Sequence, residues 1–357
     1  MKVMLFTRYG LQGASSRMRF YQFLPHLESA GFAVLVSPLL GDSTLGKRYR
    51  SGSYRLLDLL AAYRRRIGAL WRRRHFDLLW IEKETLPWAP VWLERFLLRG
   101  VPYVLDFDDA IFHNYDRHPS PWVRYFLGRR IDRLMAGARL VVAGNRYLAQ
   151  RASMAGAPWV ELLPTVVDLE RYPVKRRAAS TTHNEQLRLV WIGSPSTVQY
   201  LRLLAEPLAT LARQQPFTLR VIGGGPLSLP GVELEAVPWS SDTEAAAIAE
   251  CDVGIMPLLD TPWEQGKCAY KLIQYMACGL PTVASPVGAN CEVIVEGETG
   301  FLAGTHEAWV DKLGLLLRDL AQRQRLGDAG RARVEAHYSL QKALPQLVRL
   351  LQQAGEQ

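Results

Sequence analysis

Cysteine is scarce: Cys251, Cys268, Cys278 and Cys291 are the four in 357 residues. None forms a CxxC pair or stands beside paired histidines, which argues against a disulfide frame or a zinc site and for reduced thiols in a cytosolic protein. Long apolar runs are missing as well. No window approaches the roughly 20 apolar residues of a membrane-spanning helix, and MKVMLFTRYG has too few apolar residues after Lys2 for a signal peptide. The expectation is a cytoplasmic protein, at most peripheral on the inner face of a membrane. The dinucleotide fingerprint GxGxxG is absent, so a dehydrogenase reading has little support. No nucleic-acid-binding module accompanies the basic charge, so nucleic acid is not the expected partner.

What is present fits two ordinary globular domains, with 48% hydrophobic and 22% charged residues. Charge is shared unevenly: residues 1–178 hold 29 Lys+Arg against 15 Asp+Glu, and the remainder 14 against 19. A polyanionic partner for the first half follows. Its densest segment, residues 47–74, sets Leu56, Leu57, Leu60, Tyr63, Ile67 and Trp71 at helical spacing among arginines. Such a basic amphipathic helix suits an anionic membrane surface; it equally suits a helix packed on its domain with an arginine-rich outer face.

Apolar runs alternate with helical patterns, the signature of a parallel α/β sheet. Val3–Phe6, Ala33–Val36, Asp77–Ile81, Val101–Leu105, Arg139–Ala143 and Val160–Leu163 read as strands, with a helix over Arg17–Ala30. The loop after the first strand contains Gly10, Gly13, Ala14 and Arg17. The third strand ends in Glu82, Lys83 and Glu84. The fourth ends in Asp106, Asp108 and Asp109, where open α/β sheets place their ligands; either Asp108 or Asp109 also suits a helix cap. After a nonperiodic Lys/Arg/Ser/Thr stretch, Val174–Gln186, the pattern restarts. Strand Leu187–Ile192 runs into Gly193-Ser194, a turn entering a helix whose backbone amides suit phosphate. Thr218–Ile222 runs into Gly223-Gly224. Trp239 follows the next strand, either to stack on a base or to pack.

The longest informative stretch is Asp252–Gly288. Strand Val253–Met256 leads to a polar loop containing Asp260 and Glu264, then to a helical pattern from Lys267 to about Cys278. At that spacing Lys267, Lys271, Gln274 and Cys278 share one face. Two cations over a helix's first turn suit a diphosphate, and equally suit a solvated amphipathic face.

This block, closing in Tyr275-Met276-Ala277-Cys278-Gly279-Leu280-Pro281 and followed by Ser285-Pro286-Val287-Gly288, resembles the donor-binding core of glycosyltransferase family 4, retaining enzymes of the GT-B fold. The resemblance extends less sharply over nearly the whole chain, to Pro164–Asp168 before a linker. It implies an α/β chain of two doubly wound Rossmann-like domains facing across a cleft. The expected parts are an acceptor-side domain (1–168), a linker (169–186), a nucleotide-sugar-binding domain (187–336) and a terminal helix (337–357) returning to the first domain. The implied activity is transfer of a sugar from a nucleotide sugar to a hydroxyl of a glycan or lipid-linked acceptor, in cell-surface polysaccharide or glycolipid synthesis, without a metal or other cofactor. Lys267, Lys271 and the Gly193-Ser194 turn would take the diphosphate, with Gly223, Gly224 and Trp239 around the nucleotide. Gly13, Ala14 and Arg17 would approach the sugars from the first domain, and Asp106 or Asp108 would bind hydroxyls. His113 is the nearest histidine to the position the family gives one. Of two glutamates that relatives carry eight positions apart, this chain has Gly266 and Gln274, leaving Gln274 for the ribose and Glu264 or Asp260 for the sugar. No nucleophilic carboxylate stands out, so front-face retention is the expected course. The alternatives are another GT-B enzyme (a sugar-nucleotide epimerase or a phosphorylase) and a non-catalytic membrane-associated binding protein.

Overall fold

A computed structural model describes every residue except 173, 175–185 and 357, and leaves out the side chains of 49–51. Most of the expected linker lies outside the described residues. The chain divides into two compact units. The first comprises Met1–Thr165, Gly266–Cys268 and Ala343–Gln357; the second comprises Val166–Gln265 and Ala269–Lys342.

In the first unit the elements run β1 (Lys2–Tyr9), α1 (Ala14–Arg19), α2 (Leu24–Ser29), β2 (Ala33–Leu40), α3 (Asp42–Ser51), α4 (Leu56–Trp71), β3 (Leu78–Glu82) and α5 (Val91–Leu98). They continue through β4 (Tyr103–Phe107), α6 (His113–Asp116), α7 (Pro121–Leu127), α8 (Arg130–Met135), β5 (Leu140–Ala143), α9 (Arg146–Met154) and β6 (Val160–Leu162). All six strands pair in parallel in the order β2-β1-β3-β4-β5-β6. Side chains of a strand alternate between faces. One face therefore sets Met4, Phe6, Leu79, Ile81, Leu105 and Phe107 in the core with α5 and α8. On alternate positions Trp80 is fully buried, with its ring 4.8 Å from Phe20. The expected single helix over Arg17–Ala30 is broken at Phe20, whose φ of −131° and ψ of −61° leave helical geometry.

The second unit contains β7 (Leu187–Ile192), α10 (Ala205–Gln214), β8 (Phe217–Ile222), β9 (Glu233–Val237), α11 (Glu244–Ala249), β10 (Val253–Met256), α12 (Pro262–Gln265) and α13 (Tyr270–Ala277). Then come β11 (Thr282–Ala284), α14 (Asn290–Val293), β12 (Gly300–Leu302), α15 (His306–Arg318) and α16 (Leu320–His337). Its six strands are also all parallel, in the order β12-β11-β10-β7-β8-β9. Alternation along β7 sends Val190 and Ile192 to the α13 side, with Leu272, Ile273 and Met276. Leu189 and Trp191 go to the α10 and α15 side, with Leu208, Leu211, Leu313 and Leu316. The last helix, α17 (Leu340–Gly355), starts in the second unit and ends in the first. There Gln346 Nε2 donates to Leu162 O at 3.3 Å.

Each sheet reverses its strand order once, at β1/β3 and at β7/β10. Right-handed crossovers then send the flanking helices to opposite faces, and ligands of such sheets bind where the strand ends part. At β7/β10 the join is tight. A Cβ on Gly254 would lie 2.3 Å from the Tyr275 ring, and Tyr275 OH accepts from Ile192 N at 3.0 Å. Gly254→Ala is expected to destabilise the second unit by about 1–3 kcal/mol through this overpacking. The check is the urea midpoint of its unfolding transition; an unchanged midpoint would show that the ring has room to give way.

Candidate functional site

In the first unit the strand reversal gathers polar groups from three loops. Gly13 folds the chain after β1 back on itself: a Cβ there would lie 2.2 Å from Tyr9 Cβ. The turn brings Ser15 and Ser16, at the start of α1, over the end of β3. Ser16 Oγ donates to Glu82 Oε2 at 2.6 Å, and Arg8 N donates to the same oxygen at 2.6 Å. Ser15 Oγ lies 2.8 Å from Glu82 Oε1 and 2.6 Å from Asp108 Oδ2. Lys83 holds a φ of +66°, a region rarely used by residues other than glycine. Its Nζ forms an ion pair with Asp108 Oδ1 at 2.7 Å and donates to Ser15 Oγ at 3.2 Å.

The two aspartates singled out in β4 and its loop have different surroundings. Asp106 is only 2% exposed, and its Oδ1 accepts from Arg19 Nε at 2.8 Å, with Arg19 NH2 at 2.7 Å. Arg19 NH1 is spent on Leu163 O at 2.7 Å. Asp106 therefore faces the interior as an ion pair rather than offering its carboxylate to a sugar. Burial pushes its pKa up to about 6, against the pull of Arg19. The side chain of Asp108 is 15% exposed. Burial raises its pKa, but the Lys83 ammonium and the Ser15 hydroxyl outweigh that and leave it below the usual range. Burial likewise pulls Lys83 down, and Asp108 and Glu82 more than reverse it. Neither Asp108 nor Asp109 caps α6, which starts after Phe112 with no side-chain cap.

The segment Gly266–Cys268 packs with this unit. A Cβ on Gly266 would lie 2.4 Å from Ala110 Cβ and 2.7 Å from Ala110 N, so a glutamate does not fit at this position. Lys267 O accepts from Asn145 Nδ2 at 3.0 Å, and the Lys267 charge opposes the burial that raises the pKa of Asp109. The expected helix from Lys267 begins only at Tyr270, because Ala269 takes a φ of +52°. Lys267 and Lys271 thus do not share a helix face. Ala14 is exposed, and Arg17 is buried with NH1 3.4 Å from Leu11 O, bracing its own loop. His113 is held by Asp116 Oδ1 at 2.8 Å and Tyr147 OH at 2.8 Å.

In the second unit, glycines let the ends of β7, β8 and β9 close on one another. Gly193 N donates to Ile222 O at 3.0 Å, and Gly223 N donates to Val237 O at 2.9 Å. Gly223 has φ +75°, and a Cβ on it would lie 2.5 Å from Gly193 O and 2.8 Å from Trp239 Cβ. On Gly224 a Cβ would meet Val221 at 2.6 Å and Val198 at 2.8 Å. Lys271 stands in the first turn of α13 with Nζ 5.3 Å from the Trp191 ring centroid, a cation–π distance. Ser194 N donates to Thr197 Oγ1 at 3.2 Å. The turn leads into a 3-10 helix, Val198–Leu204, rather than directly into an α-helix.

Gln274 and Cys278 are buried and Lys271 is half-buried, so the expected polar face does not stand open to solvent. Gln274 Nε2 donates to Tyr172 OH at 2.8 Å, which donates to Glu244 Oε1 at 3.1 Å; Trp239 Nε1 donates to Glu244 Oε2 at 2.7 Å. Gln274 is thereby a structural support and Trp239 a half-buried, anchored ring. Glu264 is buried and accepts from Tyr200 OH and Thr261 Oγ1. The positions of Glu82 and Lys83 in the sequence assign them no role, and Ser15 and Arg19 belong to no sequence motif. Two serines in the first loop and a charged run closing an apolar strand were the available signals.

Residues 186–319 match the family model described as Glycosyl transferases group 1. The D-inositol 3-phosphate glycosyltransferase of Pseudarthrobacter chlorophenolicus is 27% identical over 222 residues, covering 56% of this chain and 52% of the relative. The enzyme of the same name from Xylanimonas cellulosilytica is 29% identical over 227 residues, covering 56% and 54%. The chain spans about half the length of the curated relatives it matches. Among solved structures, Anabaena HepE in complex with UDP and glucose superposes with a TM-score of 0.72 at 16% identity, covering 99% of this chain and all of the other. Sucrose-phosphate synthase from Thermosynechococcus elongatus gives 0.72 at 15%, covering 99% and 98%. The fold is that of the GT-B glycosyltransferases.

A carboxyl whose folded pKa lies above its unfolded value, near 4, holds its proton longer in the folded state. Asp106 therefore contributes stability below about pH 4 that is lost as pH rises through about 6. Its carboxyl carbon is expected to titrate near 6 by NMR, and higher in Arg19→Met, where the cation is gone. A midpoint unmoved by that substitution would show that Arg19 does not set it.

Proposed function

We propose that the chain is a retaining glycosyltransferase of family 4, moving a sugar from a nucleotide-sugar donor to a hydroxyl of a glycan or lipid-linked acceptor. The observation that carries this is the coincidence of the matched domain with the β7/β10 strand reversal, beside which Gly193 at the end of β7 and Gly223-Gly224 at the end of the neighbouring β8 bring no side chain to the strand ends. Backbone approach of that kind suits a bulky anionic nucleotide. Lys271, at the positive end of α13, meets the diphosphate as it departs and stabilises the charge that develops there. No resident metal is needed in this scheme, since the ammonium and the helix supply the positive potential. HepE described as bound to UDP, and elsewhere to UDP-glucose, supports a uridine conjugate as the first donor to test.

In the first unit Asp108 is the acceptor group. Lys83 and Ser15 keep it ionised and fixed, so that it accepts a hydrogen bond from the incoming hydroxyl and orients the oxygen. The names of the curated relatives support a polyol or its phosphate among acceptors to test. Front-face departure and attack, with retention at the anomeric carbon, needs positioning and leaving-group electrostatics but no covalent intermediate. A place in surface polysaccharide or glycolipid synthesis accords with contact of residues 47–74 with an anionic membrane, where Leu56, Leu57, Leu60 and Trp71 are exposed beside Arg64 and Arg65.

Calorimetric titration with UDP, GDP, ADP and their sugar conjugates tests the donor half. One base is expected to bind selectively, and Lys271→Ala to weaken it about tenfold or more, as loss of a charge-assisted contact does. No heat with any nucleotide at millimolar concentration would overturn the reading. For the acceptor half, Asp108→Asn is expected to lower kcat about 100-fold while nucleotide affinity holds. An unchanged kcat would remove Asp108 from the mechanism.

A further inference from the structure

Two short helices of the first unit, α5 and α7, leave a group of large aromatic rings outside the core. Trp92 and Phe96 on α5 are 67% and 53% exposed, and Trp122, Tyr125 and Phe126 on α7 are 71%, 80% and 66% exposed. Spacings of three and four residues put each set on one side of its helix. Rings of α7 order one another: Trp122 and Phe126 stack at 6.2 Å, and Tyr125 meets Phe126 edge-on at 5.0 Å. The helices are tied at their starts. Trp88, just before α5, contacts the His118 ring at 5.7 Å, and Arg124 of α7 donates from NH1 to His118 O at 2.6 Å. Both belong to crossovers that leave successive strands β3 and β4 in one direction, so they cover the same sheet face.

Charge around the rings has one sign. Arg95, Arg99, Arg117, Arg124 and Arg129 are exposed. Every carboxylate between residues 84 and 130 is buried or half-buried: Glu84, Glu94, Asp106, Asp108, Asp109 and Asp116. Trp92, Trp122 and Tyr125, apolar in body and polar at the tip, with the wholly apolar Phe96 and Phe126 beside them and arginines without exposed acids around them, match the headgroup layer of an anionic bilayer. A second copy of the chain on this patch would set arginines against arginines.

We propose that α5 and α7 form an interfacial anchor for an anionic lipid bilayer, separate from the basic helix α4. The rings enter the headgroup layer and the five arginines pair with lipid phosphates. This builds on the membrane contact proposed above and adds a different set of residues. The test is sedimentation of the full chain with vesicles of phosphatidylcholine alone or with roughly 30% phosphatidylglycerol. Strong partition to the anionic vesicles is expected, falling about tenfold in Trp122→Ser/Phe126→Ser and in Trp92→Ser/Phe96→Ser. These exposed substitutions are expected to leave Tm and nucleotide binding unchanged, which separates loss of the anchor from loss of the fold or of the donor site. Leu56→Ser/Leu57→Ser probes α4 in parallel. Loss there with full binding by both aromatic variants would overturn this anchor while sparing the α4 contact, and absence of vesicle binding by the unaltered chain would overturn both. Retention by single-stranded RNA with no vesicle binding, or ring-dependent self-association in its place, would also overturn it.

Discussion

The structure depends on one constraint of parallel sheets: a crossover between neighbouring parallel strands has a fixed hand. Where strand order reverses, the following chain segments leave on opposite faces, and the strand ends between them stay uncovered. The chain meets this constraint twice, at β1/β3 and at β7/β10. The residues at each reversal carry different chemistry. In the second unit glycines close the ends of β7 and β8, with the Lys271 ammonium in the first turn of α13 beside the Trp191 ring. In the first, charge is concentrated: Glu82, Lys83, Asp106, Asp108 and Arg19 are all buried or nearly so.

Burying that many charges is costly unless each is paired and hydrogen-bonded. The first unit meets the condition by interlocking them. Arg19 neutralises Asp106, Lys83 neutralises Asp108, and Ser15 and Ser16 bridge to Glu82. Asp108 keeps one edge toward solvent while its ionisation is held by its neighbours. A group so fixed needs no reorganisation when a hydroxyl arrives, which is what positioning catalysis requires. The positive φ of Lys83 fits this picture, since backbone strain persists where surrounding contacts over-determine it.

The alternating apolar runs made both parallel sheets legible, because a buried parallel strand is a short continuous apolar stretch whatever its neighbours. Leu187–Ile192 and Val253–Met256 are strands over the residues their composition marks. Helix starts were less legible. Lys267–Cys278 carries a good helical pattern, yet Gly266–Cys268 is claimed by contacts to Ala110 and Asn145, more than a hundred residues away in sequence. Ala269 turns left-handed between the two commitments. Gln274 has the period of a surface residue, yet it is buried with its amide donating to the distant Tyr172 hydroxyl. The same holds for the Ser15–Glu82–Asp108 link, which joins three loops that no local pattern relates.

Catalysis by positioning and leaving-group electrostatics is the centre of this account, and the stereochemistry of transfer tests it most directly. The protein would be incubated with the α-linked nucleotide sugar that it binds and an acceptor hydroxyl, and the new glycosidic bond read by proton NMR as it forms. Departure stabilised at Lys271, with attack on the same face, predicts an α-linked product and one nucleoside diphosphate released per bond. A β-linked product would contradict front-face transfer, and nucleotide consumption without a new glycosidic bond would contradict transfer itself.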